Sequence, residues 1–139
     1  MKSKKSTVII NDNFGKWQED FKTILRHCLK ASSPGNKFVE LLKPDKNDYY
    51  ILKPQRSAFY LSALELLLEK LAIETLILTG LTTDICIPFT GNDAYMRDHK
   101  ILVPKDCVCA NTPAIHNTAL EFIKRILKAD TTPSHRLNF

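Results

Sequence analysis

The chain has 139 residues, 44% of them apolar and 25% charged, with a formal net charge of +5. That length suits one domain with a real core, and the composition is neither disordered nor fibrous. No apolar run approaches the ~18 residues that cross a bilayer, and Val8-Ile9-Ile10 after the basic start is too short for a signal-peptide core of roughly 7–15 residues.

The sequence therefore predicts a cytoplasmic protein that does not engage a membrane. The basic residues are scattered, with small clusters at each end (Lys2, Lys4, Lys5; Lys124, Arg125, Lys128). Nucleic-acid binding would want a basic stripe with interleaved aromatics or a known motif. Neither is present, so a solvated basic surface is expected and no nucleic-acid partner.

In chain order, Thr7-Val8-Ile9-Ile10 is a β-branched run and reads as a buried parallel strand. The loop Asn11 to Gly15 follows. Trp17, Phe21, Ile24, Leu25 and Cys28 recur at spacings of three and four and predict a helix ending near Leu29. Ser32 to Asn36 is a break. Phe38 to Leu42 reads as a short helical turn, Pro44 to Asp48 as a loop, and Tyr49 to Leu52 as the second strand, ended by Lys53-Pro54. Leu61, Leu64, Leu67, Leu68 and Leu71 form a helical face, with Ser62 as an early cap. Leu76 to Leu78 predicts a third, buried strand. After a turn from Thr79 to Asp84, a helix begins around Cys86 and Pro88. Lys100 to Val103 is a fourth strand, Asp106 to Ala110 a loop. A last helix is capped by Thr112 or Asn111 and presents Ala119, Phe122, Ile123, Ile126 and Leu127. The tail from Asp130 is an edge strand or an arm. Strand and helix alternate throughout, which predicts an α/β fold: one domain over 1–139, a parallel sheet with helices on both faces.

Four cysteines, Cys28, Cys86, Cys107 and Cys109, show no metal-binding spacing and no disulfide framework. Cys107 and Cys109 fall on one face of a strand-like stretch and read as small buried fillers. Cys86 differs. It follows a strand and a glycine turn and opens a helix, at the sheet edge where α/β folds bind ligands. Unpaired N–H groups and the dipole at a helix start favour an anion, and a thiolate is one. Pro88 is tolerated there because the first helical turn needs no N–H. Lys53, at the end of another strand, would favour the thiolate if it lay beside it. N–H groups after Gly80 could form an oxyanion site. The ordinary alternatives are a buried structural cysteine and a solvated strand-end lysine.

Lys53-Pro54-Gln55-Arg56-Ser57-Ala58-Phe59, Leu78 to Ile87, Asn92-Asp93-Ala94-Tyr95 and Val103 to Cys107 together resemble the isochorismatase-like cysteine hydrolases, which include the nicotinamidases. The resemblance covers nearly the whole chain. It implies a doubly wound, Rossmann-like sheet and an Asp, Lys, Cys triad, in which cysteine attacks an amide or related carbon, aspartate takes the proton and lysine holds the thiolate. Lys53 and Cys86 match the last two members. The family's cis peptide beside its oxyanion hole falls at Leu81-Thr82. Phe59 falls in a pocket-lining segment.

The aspartate is the departure. Asp12 tempts that assignment, but Asn11 to Trp17 resembles the loop after the family's second strand, which makes Asp12 and Phe14 pocket residues. Met1 to Ser6 then resembles the end of the first helix. The resemblance thus implies a chain without the family's first strand, its aspartate and most of its first helix, with strand edges exposed near Thr7 and Thr75. The nicotinamidase metal site has no histidine to match it here, so neither metal nor cofactor is expected. His27, His99, His116 and His135 read as surface or helix-face residues. The expected function is a cysteine hydrolase acting on a small amide or related molecule, slowed by the absent base, as a homo-oligomer. The rival is a non-catalytic scaffold or subunit completed by a partner chain. A thiol redox role for Cys86 with Cys107 or Cys109 is a third possibility.

Overall fold

The computed structural model describes the backbone of Thr7–Asn11, then Thr23, Arg26 and His27, and residues 29–137. Asp12, Phe14, Cys28 and most of the helix expected from Trp17 to Leu29 lie outside the described residues. Contacts group the chain into two compact units, Met1–Gln55 and Arg56–Phe139.

In the first unit, β1 (Thr7–Asn11) and β2 (Tyr49–Lys53) pair in parallel, with Thr7 opposite Tyr49 and Asn11 opposite Lys53. Alternation along β2 buries Ile51 and Lys53 and exposes Tyr50 and Leu52. A short helix, α1 (Asn36–Leu41), follows the Ser32–Asn36 break and buries no residue.

The second unit carries α2 (Leu64–Lys70), β3 (Thr75–Ile77), β4 (Gly80–Leu81), α3 (Cys86–Tyr95), β5 (Lys100–Leu102), β6 (Val108–Cys109) and α4 (Pro113–Ile126). Strand β3 pairs in parallel with β5, and β4 in parallel with β6. The chain from the end of β3 into β4 keeps contact with its neighbours: Leu78 N–H donates to Leu102 O, and Gly80 N–H, at the start of β4, to Cys107 O, both at 2.9 Å. The tail extends this edge. Asp130 bridges Leu102 in parallel, its N–H donating to Ile101 O at 3.0 Å, and its carbonyl accepting from Val103 N–H at 2.7 Å.

The core of this unit is the β5 stretch packed with the inner sides of α3 and α4. Ile101, Leu102, Val103, Ala94, Ala119, Ile123 and Leu127 are buried. Thr112 caps α4, its hydroxyl accepting from Ile115 N–H at 3.3 Å, with Pro113 in the first turn. Both α2 and α4 end on a left-handed residue, Ala72 (φ 51°) and Lys128 (φ 53°).

Some sequence expectations change. Leu61 is not on the α2 face; it is exposed with φ 47°, because the chain turns there and Ser62 hydroxyl donates back to Ala58 O. Ser62 hydroxyl also accepts from Leu64 N–H, but the cap position itself is Ala63. Strand β3 is not fully buried: Leu76 is half-buried and Ile77 is 42% exposed, and within its unit β3 has a described partner on one edge. Asp106 to Ala110 is not all loop, since β6 lies within it. Phe122 and Ile126 are exposed at 44% and 39%, because Ala119, Ile123 and Leu127 define the buried stripe and these two flank it.

Candidate active site

The turn into α3 is built by backbone. Gly80 adopts φ +102°, a conformation that side chains other than hydrogen disfavour. The Leu81–Thr82 peptide is cis. Thr82 carbonyl then accepts from Ile85 N–H at 3.2 Å and Ile87 N–H at 3.3 Å, which curls residues 82–87 around one oxygen. Thr83 N–H donates to Cys109 O at 2.9 Å and so ties the turn to the end of β6. Helix α3 starts at Cys86, one residue after an N-cap, Ile85, that makes no side-chain cap. Cys86 is therefore the first helical residue, half-buried, at the end where helix N–H groups are least satisfied. Thr82 Oγ1 is buried with no hydrogen-bond partner among the described residues.

The helix behind Cys86 is pinned by the segment 57–65. Ser57 hydroxyl donates to Asp93 Oδ2, and Ala58 N–H donates to Thr90 Oγ1 at 3.1 Å. Arg97 reaches back from the end of α3. Its Nη2 donates to Glu65 Oε2 at 3.1 Å and its Nε lies 2.9 Å from Glu65 Oε1 as an ion pair without hydrogen-bond geometry, while Nη1 donates to Asp93 O at 3.0 Å. The hydrogen bond and the charge attraction between the two hold the Glu65 carboxyl below its ordinary value and the guanidinium above its own. Phe59 is buried beneath that guanidinium, whose carbon is 4.8 Å from the ring centre, and 6.3 Å from the His99 ring.

Of the residues singled out from sequence, Leu81, Thr82 and Cys86 fall on one continuous turn. Phe59 lies in the Arg97 contact. Lys53 ends β2 in the first unit and is 6% exposed, with its ammonium donating to Gln55 O at 2.8 Å. It is not the solvated strand-end lysine of the ordinary alternative. Cys107 and Cys109 are on one face, as their spacing requires, but Val108 between them takes the buried side. Cys107 is accordingly half-buried and Cys109 exposed, and neither is a core filler.

Sequence reasoning missed two contacts. Ser57 and Asp93 each lie in a stretch that carries the resemblance, but nothing local pairs them. His116 is the helix-face residue its position predicts, but its Nδ1 also lies 3.0 Å from Thr83 Oγ1. The available signal was its register, since 116, 119, 123 and 127 share one helical face and the last three are buried. Among the described residues no group of three or more His, Cys, Asp or Glu is placed to hold a metal ion. No helix among them is long and apolar enough to cross a membrane.

The model of the isochorismatase domain matches residues 2–132. The chain belongs to the isochorismatase family. It is 38% identical over 130 residues to the isochorismatase family protein YaaI of Bacillus subtilis (strain 168), covering 94% of this chain and 71% of that one. Among solved structures it is similar to the nicotinamidase/pyrazinamidase PncA of Bacillus subtilis, with a TM-score of 0.63 and 34% identity over 72% of this chain and 55% of that chain. The N-carbamoylsarcosine amidase of Thermoplasma acidophilum superposes with a TM-score of 0.67 and 26% identity, covering 96% and 72%. The α/β architecture with parallel strand pairs is that of these isochorismatase-fold hydrolases. This chain spans about half of the PncA chain and less than three quarters of the other two.

Proposed function

We propose that this isochorismatase-family chain is a hydrolase of small molecules bearing a terminal carbonyl–NH2 group, with Cys86 as its nucleophile and Lys53 in the thiolate-holding role that the resemblance gives it. The observation that carries the reading is Cys86 as the first residue of a ten-residue helix, directly after the 80–85 turn. What supports this substrate class is the chemistry named for the similar proteins: nicotinamide, pyrazinamide and N-carbamoylsarcosine all carry that group.

The chemistry is acyl transfer. The Cys86 thiolate forms a C–S bond to the carbonyl carbon, and the π pair moves to oxygen, where backbone N–H donors stabilise it. Collapse returns the electron pair to re-form the C=O and breaks the C–N bond, and the nitrogen takes a proton from solvent water to leave as ammonia. Water then cleaves the thioester to the acid and restores the thiol. With Asp12 read as a loop residue rather than as the family's aspartate, slow turnover is expected of the 139 residues.

The test is ammonia release from nicotinamide, pyrazinamide and an N-carbamoyl amino acid. Slow release that falls to background in Cys86→Ala is expected, and Lys53→Ala should slow iodoacetamide alkylation of Cys86 at about pH 7. Turnover that survives Cys86→Ala would assign the chemistry to another residue. An ordinary nicotinamidase-like rate would overturn the expectation of a slowed enzyme.

A second reading, a non-catalytic subunit covered by a partner chain, is favoured by one feature. Phe89, Ile115 and Phe122, each at least 40% exposed, line an apolar groove of about 650 Å³ between α3 and α4. No ammonia from any of the three compounds would bring that reading forward.

A further inference from the structure

Thr83 is 0% exposed. A hydroxyl in such a place costs stability unless it is hydrogen-bonded, and valine would fill the same space without that cost. The partner the structure supplies is His116 Nδ1, 3.0 Å away and 33 residues on in sequence. The bond can run in either sense, with the hydroxyl donating to a bare Nδ1 or accepting from Nδ1–H. His116 is itself fixed, because it lies in the first turn of α4, where its N–H donates to Thr112 O at 3.0 Å. Thr83 is thus held twice, at its N–H by Cys109 O and at its side chain by α4. It adjoins Thr82, whose carbonyl organises the turn, and stands three residues before Cys86.

We propose that His116 is a positioning residue for the nucleophile turn: through the Thr83 hydroxyl, α4 fixes where the backbone of residues 82–86 holds Cys86 and its neighbouring N–H donors. The proposal rests on the reading of Cys86 as nucleophile. A positioned thiolate loses much of its rate when its support moves by a fraction of an ångström, even if the fold survives. The link is specific in geometry. An asparagine at 116 places a polar atom near Nδ1, a leucine places none, and serine at 83 keeps the hydroxyl that valine removes.

The experiment compares wild type, His116→Leu, His116→Asn, Thr83→Val, Thr83→Ser and the Leu/Val double variant. Three readouts are taken: melting temperature, the peptide-resolved rate of Cys86 alkylation by iodoacetamide, and kcat and KM for ammonia release. His116→Leu and Thr83→Val should each slow Cys86 alkylation and kcat about tenfold, with KM within about twofold. The double variant should be no slower than either single one, because both cut the same link. His116→Asn and Thr83→Ser should recover to within about threefold. If His116→Leu does not fold, His116→Gln replaces it, since its amide reaches toward Nε2 rather than Nδ1. Variants that melt earlier but keep wild-type alkylation and kcat would overturn the proposal and leave a structural bond only. If wild-type Cys86 reacts no faster than exposed Cys109 and no ammonia forms, the nucleophile reading itself falls, and the positioning role with it.

Discussion

Gly80 has φ +102° and open space around it, with no atom within 4 Å of where a Cβ would stand. A substitution there meets no clash, so its cost is backbone strain alone. Gly80→Ala should lose about 1–3 kcal/mol, read as a lower urea midpoint at unchanged slope. A loss below about 0.3 kcal/mol would mean that the turn adopts another conformation in solution. The same residue-level logic separates the cysteines. Spacing of two determines that Cys107 and Cys109 share a face, but it does not say which face is inside. Val108 decides that, and a valine competing with two cysteines for the buried side wins by apolar area.

Helix α3 has buried positions at Ile87, Thr90, Gly91 and Ala94, a stripe of mostly small residues. Such a stripe buries little apolar area, so the helix depends on directed bonds from its neighbours. Ser57, 6% exposed, is one of these through Asp93. Ser57→Ala should cost about 1–3 kcal/mol, because it removes both the donor to Asp93 and the acceptor of the buried Phe59 N–H, leaving Asp93, among the described residues, only its ion pair with Arg97. Urea unfolding measures it, and a neutral result would place the weight on Thr90 and Arg97 instead. Helix α4 differs. Its buried stripe of Ala119 and Ile123 continues to Leu127, and Thr112 caps it, so both its start and its face were readable from the chain. Only the flanking Phe122 and Ile126 depart from the expected buried face, since an apolar stripe broader than the core it meets leaves its margins exposed.

Across the second unit, two aspartates tie down the tail. Asp106 accepts from Ser134 N–H at 2.7 Å and from Ser134 hydroxyl at 2.6 Å, which holds its carboxyl below the ordinary value near 3.8. Asp130 accepts from Thr132 N–H at 2.8 Å, and hydrogen bonding to Thr132 holds its carboxyl low in the same way. A carboxyl lowered on folding adds stability above its unfolded pKa and loses it as pH falls through its folded one. The melting temperature should therefore drop as pH falls below about 4, and Asp106→Asn should flatten part of that drop. A variant whose acid limb matches wild type would remove Asp106 as a contributor.

The sequence by itself determined the α/β class, the main strands and helices from Tyr49 onward, the start of a helix at Cys86 and the resemblance to a hydrolase family, but not the two-residue strands β4 and β6. Those properties are local or rest on motifs, since side-chain periods of two and 3.6, Gly and Pro breaks, and residue runs such as Leu78 to Ile87 need no knowledge of what packs where. The tertiary structure alone decided which face of each element is inside, the burial of Lys53, and the partners of Ser57 and Thr83. Those depend on residues tens of positions apart meeting across a packed core, and a polar pair such as Thr83 and His116 has no sequence period to announce it.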